Sequence, residues 1–244
     1  MIAFLFAAAV AIAPPAAAKP PASVAPAPAA SDCPQAQSPD ALVCRALNAQ
    51  SSGDNQNAAQ LFEQAARAAS DSDPKTSRLL AAAGNLWIAA GQPGKAAFDL
   101  DRALILPGLE GDQRGEAQLD RARAAEAQND LKTARARWND ARLAIPEDPF
   151  LWYFSAALAI RENDLAMAQS SISEALKRAP TDPTILFEAG HVAEFAGDEA
   201  RARTYWEQSA ASDPTGAVGQ AAREAIKMLP APAKVPPPKV QPKS

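Results

Sequence analysis

The sequence is poor in the residues on which most catalytic sites depend. Its 244 residues include one histidine, His191, and two cysteines, Cys33 and Cys44. His191 follows Glu188 in a Glu-x-x-His pattern, but di-metal helical bundles need two such pairs and two further glutamates. The sequence has no Gly-x-Ser-x-Gly, phosphate-loop or Gly-x-Gly-x-x-Gly pattern. We therefore expect no catalytic residue, metal ligand, cofactor or small-molecule substrate, and we interpret His191 as a solvated or groove-lining side chain.

Positive charge is also scarce in the central part of the chain. Lys and Arg total 24 against 28 for Asp and Glu. Four of the lysines lie near the two ends, so residues 20–229 carry a net charge of −8. Phosphate backbones are bound by clustered Lys and Arg, so nucleic-acid binding is not expected.

A hydrophobic run long enough to cross a bilayer is missing as well. The apolar segment at residues 2–13 has 12 residues and is followed by two prolines and a small-residue stretch that ends at residue 18. This pattern is typical of a secretory signal peptide at residues 1–18, although no Lys or Arg precedes the apolar segment. We expect a periplasmic protein without a stable transmembrane span. The alternatives are tethering to the inner membrane by an uncleaved N-terminus, and a cytosolic protein with a buried N-terminal helix.

Proline-rich segments follow the predicted signal peptide and close the chain. Residues 19–38 are mostly Pro, Ala and Ser, which bury too little apolar surface to offset the entropy of ordering, so they are predicted to be a linker. Residues 230–244 combine prolines with three lysines and are interpreted as a disordered tail. The alternative for this tail is a recognition motif for a groove or an anionic surface.

The rest of the sequence repeats itself. Three sets of positions recur 34 residues apart, and earlier members recur 38 residues apart. The sets are Pro146, Pro180 and Pro214; Ala58, Ala96, Ala134, Ala168 and Ala202; and Gly53, Gly91, Asn129, Asn163 and Gly197. Each unit fits a pair of antiparallel helices, with the small alanines at close helix contacts and a large residue four positions later. These large residues are predicted to be core: Phe62, Leu100, Trp138, Ile172 and Trp206.

These units resemble tetratricopeptide repeats, whose pattern places small, aromatic and proline residues at set offsets within 34 positions. The last two units match through Trp152, Ala156, Ala168, Ile172, Ala175 and Pro180, and through Leu186, Ala189, Gly190, Ala202, Trp206 and Pro214. The first and third units depart from the pattern at Arg45, Gln118 and Arg121. The resemblance implies an all-α solenoid of five helix-turn-helix repeats at about 39–72, 77–110, 115–148, 149–182 and 183–216, closed by a capping helix at 217–229.

The resemblance further implies a non-enzymatic scaffold or assembly adaptor in the bacterial cell envelope, which binds a protein or peptide segment in its concave groove. Family geometry turns the second, fifth and ninth positions of each first helix inward. The expected groove residues are Arg123, Phe150, Tyr153, Phe187 and His191. Phe150 and Phe187 have an alternative role as packing between helices. An alternative function is a structural spacer whose Pro/Lys-rich tail contacts peptidoglycan, membrane or another protein.

The two cysteines form an even set near the start of the first repeat. In an oxidising compartment such a pair suggests a bond between Cys33 and Cys44, which would hold the linker against the first helix. The alternative is that Cys44 is a small buried residue and Cys33 is free.

Overall fold

The computed structural model describes residues 33–230, and this part of the chain contains eleven helices and no strand. The predicted signal peptide at 1–18, most of the linker at 19–38 and nearly all of the tail at 230–244 lie outside the described residues. The helices are α1 (Pro39–Ser51), α2 (Asn55–Ala68), α3 (Pro74–Ala89), α4 (Pro93–Ile105), α5 (Gly111–Ala127), α6 (Leu131–Ala144), α7 (Pro149–Arg161), α8 (Leu165–Arg178), α9 (Pro183–Phe195), α10 (Glu199–Ser212) and α11 (Ala217–Met228).

Short-range chemistry fixes where most of these helices begin. Seven helices are capped by an aspartate whose carboxylate accepts a backbone N–H from the first turn, as Asp148 does from Phe150 at 2.8 Å and Asp182 from Thr184 at 2.9 Å. Five helices start with proline, whose fixed φ and missing N–H suit the first helical position. Local sequence therefore sets the helix starts before tertiary packing acts.

The turn inside each repeat explains one of the recurring sets of residues. Gly53, Gly91, Asn129, Asn163 and Gly197 each stand two residues after a first helix and have positive φ, between 58° and 81°. Only glycine, and less often asparagine, adopts this left-handed conformation at low cost, and it ends the helix while its backbone bonds to the last carbonyls. This recurring set in the sequence therefore marks the end of the first helix in each repeat.

Two helices are longer than the 34-residue unit requires. α3 has 16 residues and α5 has 17, whereas α7 and α9 have 13 each. They begin three and four residues before the second and third repeats were expected to start. The added residues of α3 include buried Thr76, whose hydroxyl donates to the Ser70 carbonyl oxygen at 2.7 Å. Most of the four extra residues in the 38-residue spacing therefore lengthen a first helix.

The chain divides into two compact units, and the first ends at Ile145. Consecutive helices pack within it, and small alanines let α2, α3 and α4 approach around Phe62, Trp87 and Leu100. Trp138 on α6 is 4 % exposed. Alanine supplies little volume, so the few large side chains fill the remaining gaps and carry much of the hydrophobic burial.

The second unit begins at Pro146 and contains two hydrophobic clusters. One cluster joins α7, α8 and α9 and includes Ile172, and the other joins α9, α10 and α11 around Trp206. The capping helix α11 packs on the second cluster through Val218, Ala222 and Ala225, and Leu229 packs there directly after the helix. The five large residues predicted to be core are all buried, with exposures between 0 % and 7 %.

Candidate protein-interaction surface

Helix α9 of the second unit has one face whose residues belong to neither of the two hydrophobic clusters. Ile185, Ala189 and Val192 join the cluster shared with α7 and α8, and Phe187 and Ala193 join the cluster shared with α10 and α11. Between these two flanks, helical spacing places a single stripe of four residues. The stripe consists of Thr184, Glu188, His191 and Phe195.

Phe187 occupies the edge of this stripe as a packed side chain. It is 9 % exposed, and its ring meets the His191 ring edge-on with centroids 4.6 Å apart. The Trp206 ring lies 6.4 Å away, and the Trp206 indole N–H donates to the Phe187 carbonyl oxygen at 2.9 Å. This placement agrees with the packing alternative for Phe187 and differs from the expected open groove position, because the ring fills the gap between α9 and α10.

His191 reaches solvent, and its side chain is 37 % exposed. Burial lowers the pKa of His191 below its ordinary value, and this effect is opposed by Glu194, whose Oε2 lies 3.7 Å from Nδ1. The imidazole is therefore mainly neutral at neutral pH and offers one donor and one acceptor. No group of three or more His, Cys, Asp or Glu side chains with the geometry of a metal site occurs between residues 33 and 230.

Sequence reasoning considered Glu188 only as part of a Glu-x-x-His pattern and did not include it among the groove residues. Glu188 is only 8 % exposed. Within residues 33–230, its carboxyl group makes no hydrogen bond and no ion pair. Burial raises the pKa of Glu188 to about 7. Its position three residues before His191 was a usable signal, because that spacing places both side chains on one face of a helix.

Helix α7 contributes two half-buried aromatic side chains to the same unit. The rings of Phe150 and Tyr153 meet edge-on, with centroids 6.3 Å apart. Tyr153 packs against the cluster that also holds Ile185 and Val192 of α9. Phe150, Tyr153 and the α9 stripe are together called the inner face of the second unit below.

Arg123 lies on α5 of the first unit, in a polar network. Its Nη1 donates to Asp120 Oδ1 at 2.8 Å, and Asp120 Oδ2 accepts from Asn85 Nδ2 of α3 at 2.8 Å. The Arg123 and Asp120 side chains are only 24 % and 15 % exposed. The guanidinium is thus held by its neighbours and is a weaker candidate for a mobile contact residue than sequence alone indicated.

The first unit has a cavity on its own first helices. It has a volume of about 370 Å³ and lies where α1 and α3 pass each other, with apolar Val43 and Leu79 beside charged Lys75 and Arg78. Asp40 and Asp73 also line the cavity, so charged side chains of both signs surround its apolar part.

The two cysteines are bonded in the structure, with a Cα–Cα distance of 5.7 Å. Residues 33–38 lie along α1, where the Arg45 Nη2 donates to the Ala36 carbonyl oxygen at 3.1 Å. Asn48 Nδ2 lies 2.9 Å from Cys33 Sγ. These contacts place the end of the predicted linker against the first helix.

A pair of carboxyl groups lies on the second helices of the first unit, away from the predicted groove residues. Asp99 of α4 is 2 % exposed, and Glu63 of α2 accepts a 2.7 Å hydrogen bond from the Trp87 indole. Burial and the neighbouring Glu63 carboxylate raise the pKa of Asp99 to about 7. Below that pH the Asp99 carboxyl carries a proton, which removes the repulsion from the Glu63 carboxylate and provides a donor on a side chain whose Oδ2 is buried without a hydrogen-bond partner among the described residues. No sequence motif indicates this pair, because it is created by two helices that α3 brings together.

Comparisons with known proteins identify the fold. No family model and no curated protein matches the sequence. Among solved structures, PilW, a widely conserved type IV pilus biogenesis factor, is 20 % identical with a TM-score of 0.63, over 75 % of this chain and 81 % of PilW. PilF of Pseudomonas aeruginosa is 16 % identical with a TM-score of 0.60, over 78 % of this chain and 82 % of PilF. YrrB, a TPR protein with an unusual peptide-binding site, is 15 % identical with a TM-score of 0.53, over 77 % of this chain and 93 % of YrrB.

At these identities the likeness concerns the fold. The resemblance to tetratricopeptide repeats is confirmed at that level, and so is the predicted all-α solenoid of helical repeats. Within residues 33–230 there is no helix with both the length and the hydropathy of a membrane span.

Proposed function

We propose that this protein is a non-enzymatic scaffold that binds a segment of another protein on the inner face of its second unit. One observation supports the proposal above others. Half-buried Phe150 and Tyr153 lie on α7, and Tyr153 packs against the cluster that holds Ile185 and Val192 of α9. On α9, partly exposed His191 lies one turn from Glu188, a buried carboxyl that has no partner among the described residues. Aromatic anchors beside a few polar groups are typical of binding hot spots.

The proposed setting is the bacterial cell envelope, where the protein would act as an assembly adaptor in the periplasm. The predicted signal peptide at residues 1–18 supports export. The likeness to a pilus biogenesis factor and to a peptide-binding TPR protein agrees with an adaptor role. A fusion of residues 1–30 to a reporter that is active only outside the cytoplasm tests the location. We expect activity, and a silent reporter would refute export.

Binding is tested by placing a photo-crosslinking amino acid at Tyr153 in intact cells. Phe98 serves as the matched control, because it is an aromatic residue that is 65 % exposed on α4 of the other unit. We expect a discrete crosslinked partner from position 153 and none from position 98. Identical products from both positions, or no product from position 153, would contradict the proposal.

A Tyr153→Ala variant separates binding from folding. We expect it to lose the partner that crosslinking identifies while its helical circular dichroism and melting midpoint stay close to those of the parent protein. A large fall in the melting midpoint would instead assign Tyr153 to the core of the second unit. Deletion of residues 231–244 in parallel distinguishes the spacer alternative, since a spacer would lose its role with the tail and a scaffold would keep its partner.

A further inference from the structure

We propose that the inner face of the second unit binds lysine-bearing, proline-rich segments, and that residues 231–244 of this chain occupy it until a partner displaces them. The inference rests on the proposed function in using the same face. It adds the chemistry of the ligand and names the first occupant.

Glu188 defines what the ligand must supply. The residue is only 8 % exposed, and its carboxyl has no hydrogen-bonding or charged partner within residues 33–230. Its oxygens are nevertheless not among the fully enclosed, unbonded polar atoms of these residues, so they remain reachable from the surface of the stripe. A carboxylate that has lost water without gaining a partner is costly, and burial accordingly raises the pKa of Glu188 to about 7. A lysine ammonium would provide both the donor and the opposite charge that this group lacks.

The neighbouring side chains favour proline next to that lysine. Phe150 and Tyr153 meet edge-on at 6.3 Å, and Phe187 and His191 do so at 4.6 Å. Proline-rich segments bind to aromatic-lined surfaces because little chain entropy remains to be lost and the ring packs flat on an aromatic face. The half-buried Phe150–Tyr153 pair of α7 and the partly exposed His191 ring one turn from Glu188 suit a ligand in which lysine alternates with proline.

Residues 231–244 have this composition. They contain five prolines and three lysines, Lys234, Lys239 and Lys243, and no Asp or Glu. The second unit has the opposite charge, because residues 146–230 contain 13 acidic and 7 basic side chains, a net charge of −6. The charges of the segment and of the unit are therefore complementary.

The end of the described chain is joined to this face by a series of contacts through α10. The Pro230 carbonyl oxygen accepts a 2.8 Å hydrogen bond from Arg203 of α10. Arg203 is one helical turn from Trp206, and the Trp206 ring lies 5.3 Å from the His191 ring, which is one turn from Glu188. An extended chain gains about 3.3 Å per residue, so four residues to Lys234 span about 13 Å, and the lysine side chain adds to this reach.

If residues 231–244 occupy the inner face, they compete with partner segments for it. A tethered segment experiences a millimolar effective concentration, so even weak binding keeps it in place. Partners would then bind only if they match the face better than residues 231–244 do. The scaffold would thereby exclude weak cationic ligands.

The test uses a labelled synthetic peptide of residues 231–244 and a variant that lacks these residues. Fluorescence anisotropy at low ionic strength should show that the shortened variant binds the peptide. The full chain should bind it with an affinity at least about tenfold lower, because its own segment competes. A peptide with all three lysines changed to glutamine should not bind. Failure of the variant to bind the peptide, or equal binding by the variant and the full chain, would overturn the proposal.

Glu188→Gln in the shortened variant separates the site from general attraction between opposite charges. It should weaken peptide binding about tenfold or more, because a buried ion pair loses one member. Glu207→Gln is the matched control, since Glu207 is an exposed glutamate of α10 in the same unit. Equal weakening by both changes would refute a specific role for Glu188. Circular dichroism of both variants verifies that each is folded.

The outcome also separates this inference from the proposed function. If the shortened variant does not bind the peptide but position 153 still crosslinks a partner, this inference is wrong and the proposed scaffold function stands. If the peptide binds and no partner crosslinks, the face is a site for the chain's own segment and the scaffold function is wrong.

Discussion

Replacing Trp206 with alanine tests the packing register of the second unit most directly. The Trp206 side chain is 1 % exposed and sits in the cluster formed by α9, α10 and α11. Its indole also donates to the Phe187 carbonyl at 2.9 Å. Removal of a buried tryptophan leaves a cavity that the alanine-rich surroundings cannot fill, so we expect a loss of about 3–5 kcal/mol in unfolding free energy.

This loss is large enough to measure without ambiguity. For a unit of this size, each kcal/mol shifts the melting midpoint by about 4–8 °C, so Trp206→Ala should lower it by at least about 12 °C. The measurement is thermal unfolding followed by circular dichroism at 222 nm. Trp206→Phe is the matched control, because it keeps most of the apolar surface and removes the hydrogen bond, at an expected cost nearer 1–2 kcal/mol. An unchanged melting curve for Trp206→Ala would show that the helix register described here is wrong.

Three further predictions follow from other features of the described residues. A Cβ atom added at Gly190 would overlap Trp206 Nε1, so Gly190→Ala should also destabilise the second unit, by about 1–3 kcal/mol in urea unfolding, and an unaffected midpoint would contradict this contact. The pKa of Asp99 is raised from 3.8 to about 7 in the folded protein, so its stabilising contribution is complete below pH 4 and is lost as the pH rises to 7. Asp99→Asn should therefore be more stable than the parent at pH 8, by about 1–4 kcal/mol, and should lack that pH dependence, whereas parallel stability–pH curves would refute the raised pKa. Cys44→Ser should cost about 2–3 kcal/mol in unfolding free energy, and mass spectrometry of the non-reduced parent protein should find no free thiol at Cys33 or Cys44, while two free thiols would contradict the bond.

The helical repeat was readable from sequence because its causes are local. Gly53 and Asn163 recur because a left-handed residue must end each first helix, and Asp148 and Pro149 recur in type because they cap and start the next helix. Alanine at positions such as Ala168 recurs because two helix backbones meet there. Each of these requirements acts within one turn or one helix pair, so it leaves a fixed spacing in the chain.

The candidate site was only partly readable in this way. Family geometry assigned Phe150, Tyr153 and His191 to the inner face, and the structure leaves all three partly accessible. Family geometry also assigned Phe187 to the inner face, but its ring is turned into the gap beside Trp206. Helical spacing gives the direction of a Cα–Cβ bond, whereas the burial of a large side chain depends on the shape of the neighbouring helix.

The charged groups that matter most depend on tertiary structure alone. In the sequence, Glu188 and Asp99 look like ordinary surface acids on amphipathic helices, and no neighbouring residue indicates that they are buried while Glu207 is exposed. Packing makes them different, because it removes water from the first two and brings Glu63 against Asp99. The sequence by itself therefore determined the repeat, its turns and its core positions through short-range geometry. Only the tertiary structure decided which carboxyl groups lose their solvent, because desolvation depends on every surface that closes around a group and not on its neighbours in the chain.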